Sequence, residues 1–388
     1  MTKKKVVLYG AYDRYNYGDN LMPILLEHFF RLNSSEKFKS IDFIYASIDS
    51  SNLSNYKCYP TVAMKDLLST EDNTTIIVVG GEVLGADVGT LYTHVQSNHF
   101  YTRVLKALRR YSPATLSKIA GFLYPAVWNY PYIPQKDSFT NRVKVVFNTV
   151  GGIPVQSQIK YLKEVDYLSA RDQRTFDEAS KWSSAELVPD SVLIASKIID
   201  DSFMHKYVRE EIISYCQNTK FISVQACPYK IKFSPLEMAS ELDRVKKETG
   251  LDVILLPIGY ASGHDDVIFL REVKASSKTD IRLEYELNVW EIMYFLSHSQ
   301  SFYGTSLHGI ITAMSFGVPH FCINDQIDKI TSFVKTWSVA PFIEPIVVSD
   351  ITKTALQMEG YNNTELVKAV SYAQSIISSS LNKISSII

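Results

Sequence analysis

The chain has 388 residues, 46% of them hydrophobic, with a formal net charge of −1. That length suits two domains with separate cores, and the composition excludes a disordered or low-complexity chain. A balance so near neutrality gives no global attraction for nucleic acid.

"KVVLYG" (5–10) reads as a buried strand, followed by a polar loop and a helix over 20–32. In the loop, Gly10 and Gly18 allow tight turns, and Asp19 is expected as the helix N-cap. The loop lacks both GxGxxG and Gly-Lys-Ser/Thr, so dinucleotide and Walker-type readings fail. Asn16 and Asp19 either only shape the turn or face a ligand, in which case Asp19 is a carboxylate able to take a proton from a hydroxyl.

Strands follow at 41–46 and 75–81, the second running into Gly80-Gly81-Glu82, where exposed backbone N–H groups can receive an anion. "VKVVFNTVGG" (143–152) repeats the arrangement with Gly151 and Gly152. After the strand at 165–170, Arg171 can grip a carboxylate or phosphate bidentately, or form a salt bridge to Asp172 or Asp190. Asp190 itself reads as structural.

A second series begins near residue 219: strands at 220–226 and 252–259, and helices at 235–249 and 265–275. "NVWEIMYFLSHS" and the short strand "SFYG" come next. Gly304 ends that strand, and Thr305 or Ser306 would cap the following helix, presenting backbone N–H groups and His308 to an anion. Against this stands the ordinary alternative of a satisfied core histidine. After "PHFCIN", Lys329 opens a further helix and is an exposed charge unless a ligand claims it. The tail carries apolar residues at 366, 370, 373, 377, 381, 384 and 388, a one-striped helix expected to pack on its own protein.

Strands alternating with helices at this spacing predict an α/β protein of two doubly wound parallel sheets. Residues 1–200 are expected to form an N-terminal Rossmann-like domain and 201–388 a C-terminal one with the tail helix, the ligand lying between them. Four scattered cysteines, with no CxxC or metal-type spacing, read as reduced thiols of a cytosolic protein. The apolar run after the N-terminal lysines is too short for a signal peptide, and no run of ~18 apolar residues predicts a membrane span.

Taken together, the "G…NYGD" loop, the "VVGGE" strand end, "LSARD" with "VPDSVLI", and "GTSLHGIITAMSFGVP" followed by Lys329 resemble the polysaccharide pyruvyl transferase family over about residues 5–340. The resemblance implies a GT-B-like arrangement of the two domains. It also implies transfer of pyruvate from phosphoenolpyruvate (PEP) to two hydroxyls of a sugar in a cell-surface polysaccharide precursor, often lipid-linked, forming a ketal. No metal or cofactor is implied, PEP being a co-substrate. On this reading His308 is the phosphate-side acid or anion holder, and Asp19 or Glu82 the base. Arg171, Gly304, Thr305, Ser306 and Lys329 hold the donor; Asn16, Gly18, Gly80, Gly81 and Gly152 face the acceptor. One departure stands out: the family pattern reads Ser/Thr-Arg-x-His, whereas here Ser306 occupies the arginine position, leaving Arg171 and Lys329 as substitute cations.

Between Asp87 and Asp137 there is no acidic residue, while the interval contains Arg103, Lys106, Arg109, Arg110, Lys118 and Lys136 together with the aromatic stretch "AGFLYPAVWNYPYIP". This insertion, about 88–136, is read either as a helical pair packed on the N-terminal domain or as a peripheral membrane contact through 100–135 at the inner face of the membrane. Nucleic acid does not fit the acidic remainder. Two rival functions stay open: a GT-B glycosyltransferase using a nucleotide sugar, and an inactive scaffold.

Overall fold

The structure, a computed structural model, describes residues 4–33, 38, 40–96, 99–260 and 266–388. Its first sheet contains β1 (Lys5–Tyr9), β2 (Asp42–Ser47), β3 (Val62–Ala63), β4 (Thr74–Val79), β5 (Glu82–Leu84), β6 (Val143–Gly152), β7 (Tyr167–Ala170) and β8 (Glu186–Leu187). The spatial order is β3-β2-β1-β4-β6-β7-β8, with β5 alongside the end of β6. The second sheet contains β9 (Phe221–Val224), β10 (Asp252–Leu255), β11 (Arg282–Leu283), β12 (Phe302–Gly304) and β13 (His320–Cys322), in the order β11-β10-β9-β12-β13.

Every pairing between these strands is parallel. Parallel strands need crossover connections that cover both faces of a sheet, so their sequences are apolar throughout. All six residues of β4, "TTIIVV", are buried. In each sheet the chain reverses its direction of winding between the first strand and its fourth, at β1/β4 and at β9/β12. Loops on either side of such a reversal diverge and leave a crevice at the carboxyl ends of the strands.

Helix α1 (Tyr17–Asn33) starts three residues earlier than its apolar pattern suggests. The Asn20 amide donates to the Asn16 carbonyl at 3.0 Å and closes the first turn. Asp19 is therefore not the N-cap but the third helical residue. Its carboxylate still lies near the positive end of the helix dipole. The buried face of α1 carries Leu21, Met22, Leu25 and Phe29 into a core that continues into the second sheet through Ile222 and Leu255 and onto the helix Leu307–Ser315 through Ile310. Hydroxyl contacts fix the two halves further, Tyr17 OH with Thr312 Oγ1 at 3.0 Å and Tyr15 OH to the Leu287 carbonyl at 2.7 Å.

Among its described residues the insertion forms three helices, Val88–His94, His99–Tyr111 and Pro113–Leu123, where a pair was expected. After them Tyr124, Trp128, Tyr132 and Ile133 pack on the opposite face of the first sheet, against Tyr9, Ile76 and Phe147.

The tail helix, Thr364–Ile387, buries the whole predicted stripe: Leu366, Val370, Ala373, Ile377, Leu381, Ile384 and the following Ile388. It returns to the first sheet, where Ser380 Oγ meets Tyr167 OH at 2.8 Å and Lys383 pairs with Glu186 at 2.7 Å. Among the described residues no helix is long and apolar enough to cross a membrane. All four cysteines are buried, and no disulfide joins them.

Ile377 is completely buried in this seam. Ile377→Ala is expected to destabilise the protein by about 2–5 kcal/mol through lost transfer energy and a residual cavity, measured as a lowered denaturant midpoint.

Candidate active site

The loops leaving both reversals open into one cleft of about 480 Å³, a volume in the range of small-ligand sites. From the first sheet come Asn16 and Asp19 after β1, Gly80, Gly81 and Glu82 after β4, and Arg171 after β7. The second sheet contributes Gln225 and Lys230 after β9, Asp266 beyond β10, Ser306 and His308 after β12, and Lys329 after β13. A backbone bridge between Asn16 and Gly259 holds the two sides together at the cleft.

His308 lies in the first turn of the Leu307–Ser315 helix, whose N-cap is Ser306, with its hydroxyl accepting from the Gly309 amide at 3.3 Å. The imidazole crosses to the other domain, where Nε2 lies 3.5 Å from Asp190 Oδ2. On its other edge Nδ1 packs against Gly18, where a Cβ would sit only 1.8 Å away. Gly18 is thus required for the space it leaves, behind the imidazole and not in the lining of the cleft.

Asp190 is fully buried, and its opposite neighbour is Arg171, only 1% exposed. Arg171 Nη1 donates to Asp190 Oδ2 at 3.2 Å and Nη2 to Glu82 Oε2 at 2.7 Å, while Asp172 lies 3.9 Å from Nε. Arg174 grips the second oxygen of Glu82 at 2.5 Å. A buried guanidinium needs this compensation, since removing one partner of a buried pair costs about 3–5 kcal/mol. Gly151 makes the pair sterically possible, because a Cβ there would meet Arg171 Nε at 2.7 Å and Glu82 Oε2 at 2.8 Å. Burial alone would raise the Glu82 carboxyl, but Arg171, Lys329 and Arg174 outweigh it and hold it at about 2. For Asp190, burial is likewise outweighed by His308 and Arg171, and its pKa is lowered.

With Arg171 neutralised by its carboxylates, and Arg14 of the same lining paired with Asp13 at 2.9 Å, the unpaired positive charge among the described lining residues comes from two ammonium groups. Among the described residues neither Lys230 nor Lys329 has an ion pair, and both line the cleft. Burial, and secondly the charge of Lys230, lower the Lys329 ammonium to about 8. Between pH 8 and the ordinary 10.5 the unfolded chain therefore binds this proton more readily than the folded one. Stability consequently rises with pH across that window, as the desolvation cost of the ammonium disappears.

Asp266 accepts from Gln225 Nε2 at 2.8 Å, the Gly259 amide at 2.8 Å and the Ile258 amide at 3.1 Å, all through Oδ2. Its Oδ1 is buried with no hydrogen-bond partner among the described residues. Burial raises this carboxyl to about 6, only partly opposed by the Gly259, Gln225 and Ile258 donors. Strongly perturbed groups in a cleft are the signature of a functional site.

Of the predicted residues, the fold brings His308, Asp19, Glu82, Arg171, Ser306, Lys329, Asn16, Gly80 and Gly81 into the cleft lining. Thr305 turns inward: its hydroxyl accepts from the Cys227 amide at 3.0 Å and donates to Gln225 Oε1 at 3.2 Å, joining two loops behind the site. Gly304 packs on Phe302, whose ring lies 2.5 Å from a would-be Cβ. Gly152, at φ +107°, lets β5 approach β6, with the Leu84 carbonyl 2.2 Å from its Cβ position. These three sit behind the cleft wall. Lys230, Asp266 and Gln225 escaped sequence reading, although Lys230 follows a strand end, where basic residues are worth noting. Asp190 read as structural, yet it lies beside His308. Among the described residues no three His, Cys, Asp or Glu side chains converge as a metal-ligand set.

Gly18→Ala is expected to push the imidazole away from Asp190, which a shift of the His308 ring resonances would register. Gly121→Ala, with nothing within 4 Å of its new methyl, is expected to leave those resonances unchanged.

A family model described as polysaccharide pyruvyl transferase matches residues 16–326. Among solved structures, UDP-bound MnaA of S. aureus superposes with a TM-score of 0.54 at 14% identity, covering 100% of this chain and 98% of that one. The UDP-GlcNAc 2-epimerase of Neisseria meningitidis bound to UDP-GlcNAc gives 0.53 at 11% identity, covering 98% and 100%. The Methanocaldococcus jannaschii UDP-GlcNAc 2-epimerase with UDP-GlcNAc and UDP gives 0.53 at 11%, covering 94% of each chain. At such identities the likeness shows the fold alone: two Rossmann-like domains in a GT-B-like arrangement. No curated protein sequence matches the chain. A match over most of the length, on a cleft built from both halves of it, establishes that the chain belongs to the polysaccharide pyruvyl transferase family.

Proposed function

We propose that the cleft binds PEP and transfers its pyruvyl group to two hydroxyls of a saccharide, releasing phosphate and forming a ketal. The observation that carries this reading is the pair of ammonium groups, Lys230 and Lys329, in the same cleft as the His308–Asp190 pair. A small donor with a carboxylate and a phosphate needs two such charges, held in a partly desolvated site where they act strongly. Ser306, at the position where the family pattern has arginine, contributes an N-capping hydroxyl and a helix N-terminus, and the lysines supply the charge.

In the reaction a proton adds to the methylene carbon of PEP, and positive charge develops at C2. A sugar hydroxyl attacks C2 and gives up its proton. The C2–O bond to phosphate then breaks, the departing phosphate carrying off the first hydroxyl's proton, and the second hydroxyl attacks to close the ring, its proton replacing the one given to carbon. His308 serves as the acid on the donor side, oriented by Asp190. Asp19 is the base for the attacking hydroxyl; Asn16 Nδ2 donates to its Oδ2 at 2.7 Å and steadies it. Glu82 is a positioning residue, since a carboxylate clamped by two arginines and held at about 2 is a poor proton acceptor. The acceptor lies toward Gly80, Gly81 and the Thr90, Leu91 and Tyr132 side of the cleft.

Thermal-shift measurements with PEP, inorganic phosphate and UDP-sugars test the donor. Stabilisation by PEP is expected, about 2.7 kcal/mol at a hundredfold excess over Kd, whereas stabilisation by UDP-sugars alone would refute the reading in favour of glycosyl transfer. His308→Ala is expected to keep the fold and lose nearly all PEP-dependent phosphate release; near wild-type turnover would refute its role.

PEP affinity is expected to fall as pH rises through about 8, where ligand-free Lys329 gives up its proton. Lys329→Arg should carry binding to higher pH, and calorimetry across pH 7–10 reads the difference (a guanidinium stays charged to roughly pH 12).

A further inference from the structure

The inserted helices present two unlike faces. Inward, Leu105, Leu116 and Ala120 are buried, and Leu116 lies so close to Gly89 that a methyl there would be 3.0 Å from its Cγ. Outward, Val104 is 40%, Tyr111 78%, Phe122 90% and Leu123 51% exposed. Arg103, Lys106, Arg109, Arg110 and Lys118 are exposed among them. The aromatic residues of the insertion that serve the core, Tyr92 before this segment and Tyr124, Trp128, Tyr130 and Tyr132 after it, lie outside 99–123. Packing on the protein's own body therefore accounts for 124–133 and not for the outer face of 99–123.

Large apolar side chains rimmed by polar residues mark an interaction surface. Here the rim has a single sign: the insertion contains no acidic residue in a chain of net charge −1. Clustered cations with aromatic and aliphatic side chains between them match an anionic lipid surface, where headgroups attract the charges and the apolar tips enter the acyl boundary. The location adds a second constraint. Lys106 Nζ lies 4.8 Å above the ring of Tyr229, the residue preceding Lys230 of the cleft, and Thr90, Leu91 and Tyr132 of the same insertion line that cleft. The insertion thus borders the cleft, and Lys106 brings the basic, apolar face next to it at Tyr229.

We propose that the helical segment 99–123 seats the protein peripherally on an anionic bilayer, with the cleft held close to the headgroups. Neither the identity of the donor nor the assignment of the catalytic residues enters this inference.

The test uses the full chain and co-sedimentation with vesicles of phosphatidylcholine alone, or with about one third phosphatidylglycerol. Binding is expected to the anionic vesicles only, and to weaken with salt. Arg103→Gln, Arg109→Gln and Arg110→Gln together should reduce partitioning roughly 100-fold, about fivefold per charge. Phe122→Ser with Leu123→Ser should reduce it roughly tenfold or more. All five positions are exposed, so unchanged melting temperatures verify folding. Absence of binding to anionic vesicles at low salt overturns the proposal. So does binding indifferent to the serine pair, which would be simple adsorption of charge. Concentration-dependent dimerisation abolished by Phe122→Ser would assign the face to a second copy and overturn it as well.

Discussion

Arg171 carries a full positive charge with almost no solvent around it, and much of the site is arranged so that this charge never stands alone. Glu82 and Asp190 flank it directly and Asp172 lies close behind. Through Asp190 the chain of charges reaches His308, a residue of the other domain. A single desolvated ion thus fixes the position of a carboxylate, and that carboxylate positions an imidazole across the domain boundary. The glycines around it follow from the same constraint. Gly151 exists because Arg171 and Glu82 fill the space a side chain would occupy, and Gly18 because His308 does.

This arrangement divides two tasks between different cations. Arg171 looks like a ligand-binding cation, but its charge is already satisfied, so it serves as the anchor of the network. Lys230 and Lys329, without carboxylate partners among the described residues, keep their charges available, and burial together with the nearby charge of Lys230 lowers the proton affinity of Lys329. Two mutually repelling ammonium groups in a partly dry cleft carry a desolvation and repulsion cost that a bound anion would offset.

The doubly wound topology makes such a site possible. Each sheet supplies a crevice at its own reversal, and the shared core through α1 and the 307–315 helix fixes the crevices in register. The tail helix reinforces this by leaving the second sheet and docking on β7 and β8 of the first. Where the two sheets are so bound, elements inserted at the cleft can vary without disturbing it. The 88–136 insertion is of this kind: its later part closes one face of the first sheet, while its helices leave a basic, apolar surface outside.

Much of the fold was legible in the residues themselves. Buried parallel strands are apolar on both faces, so β1, β4, β6 and β9 stand out as continuous runs. A helix packed along one side repeats every three or four residues, and each stripe position of the tail is indeed buried. The cleft residues next to strand ends were also readable, because chain direction in a parallel sheet dictates where loops gather. Local sequence could not show which groups would meet. Asp190 lies 118 positions from His308, and Glu82 lies 89 from Arg171. Whether Thr305 or Ser306 would face the ligand depended on Gln225 claiming the threonine. The role of Gly18 depended on an imidazole from the far domain. Periodicity and strand ends are properties of the chain alone, but charge compensation and steric exclusion act through space, and only the packed tertiary structure decides them.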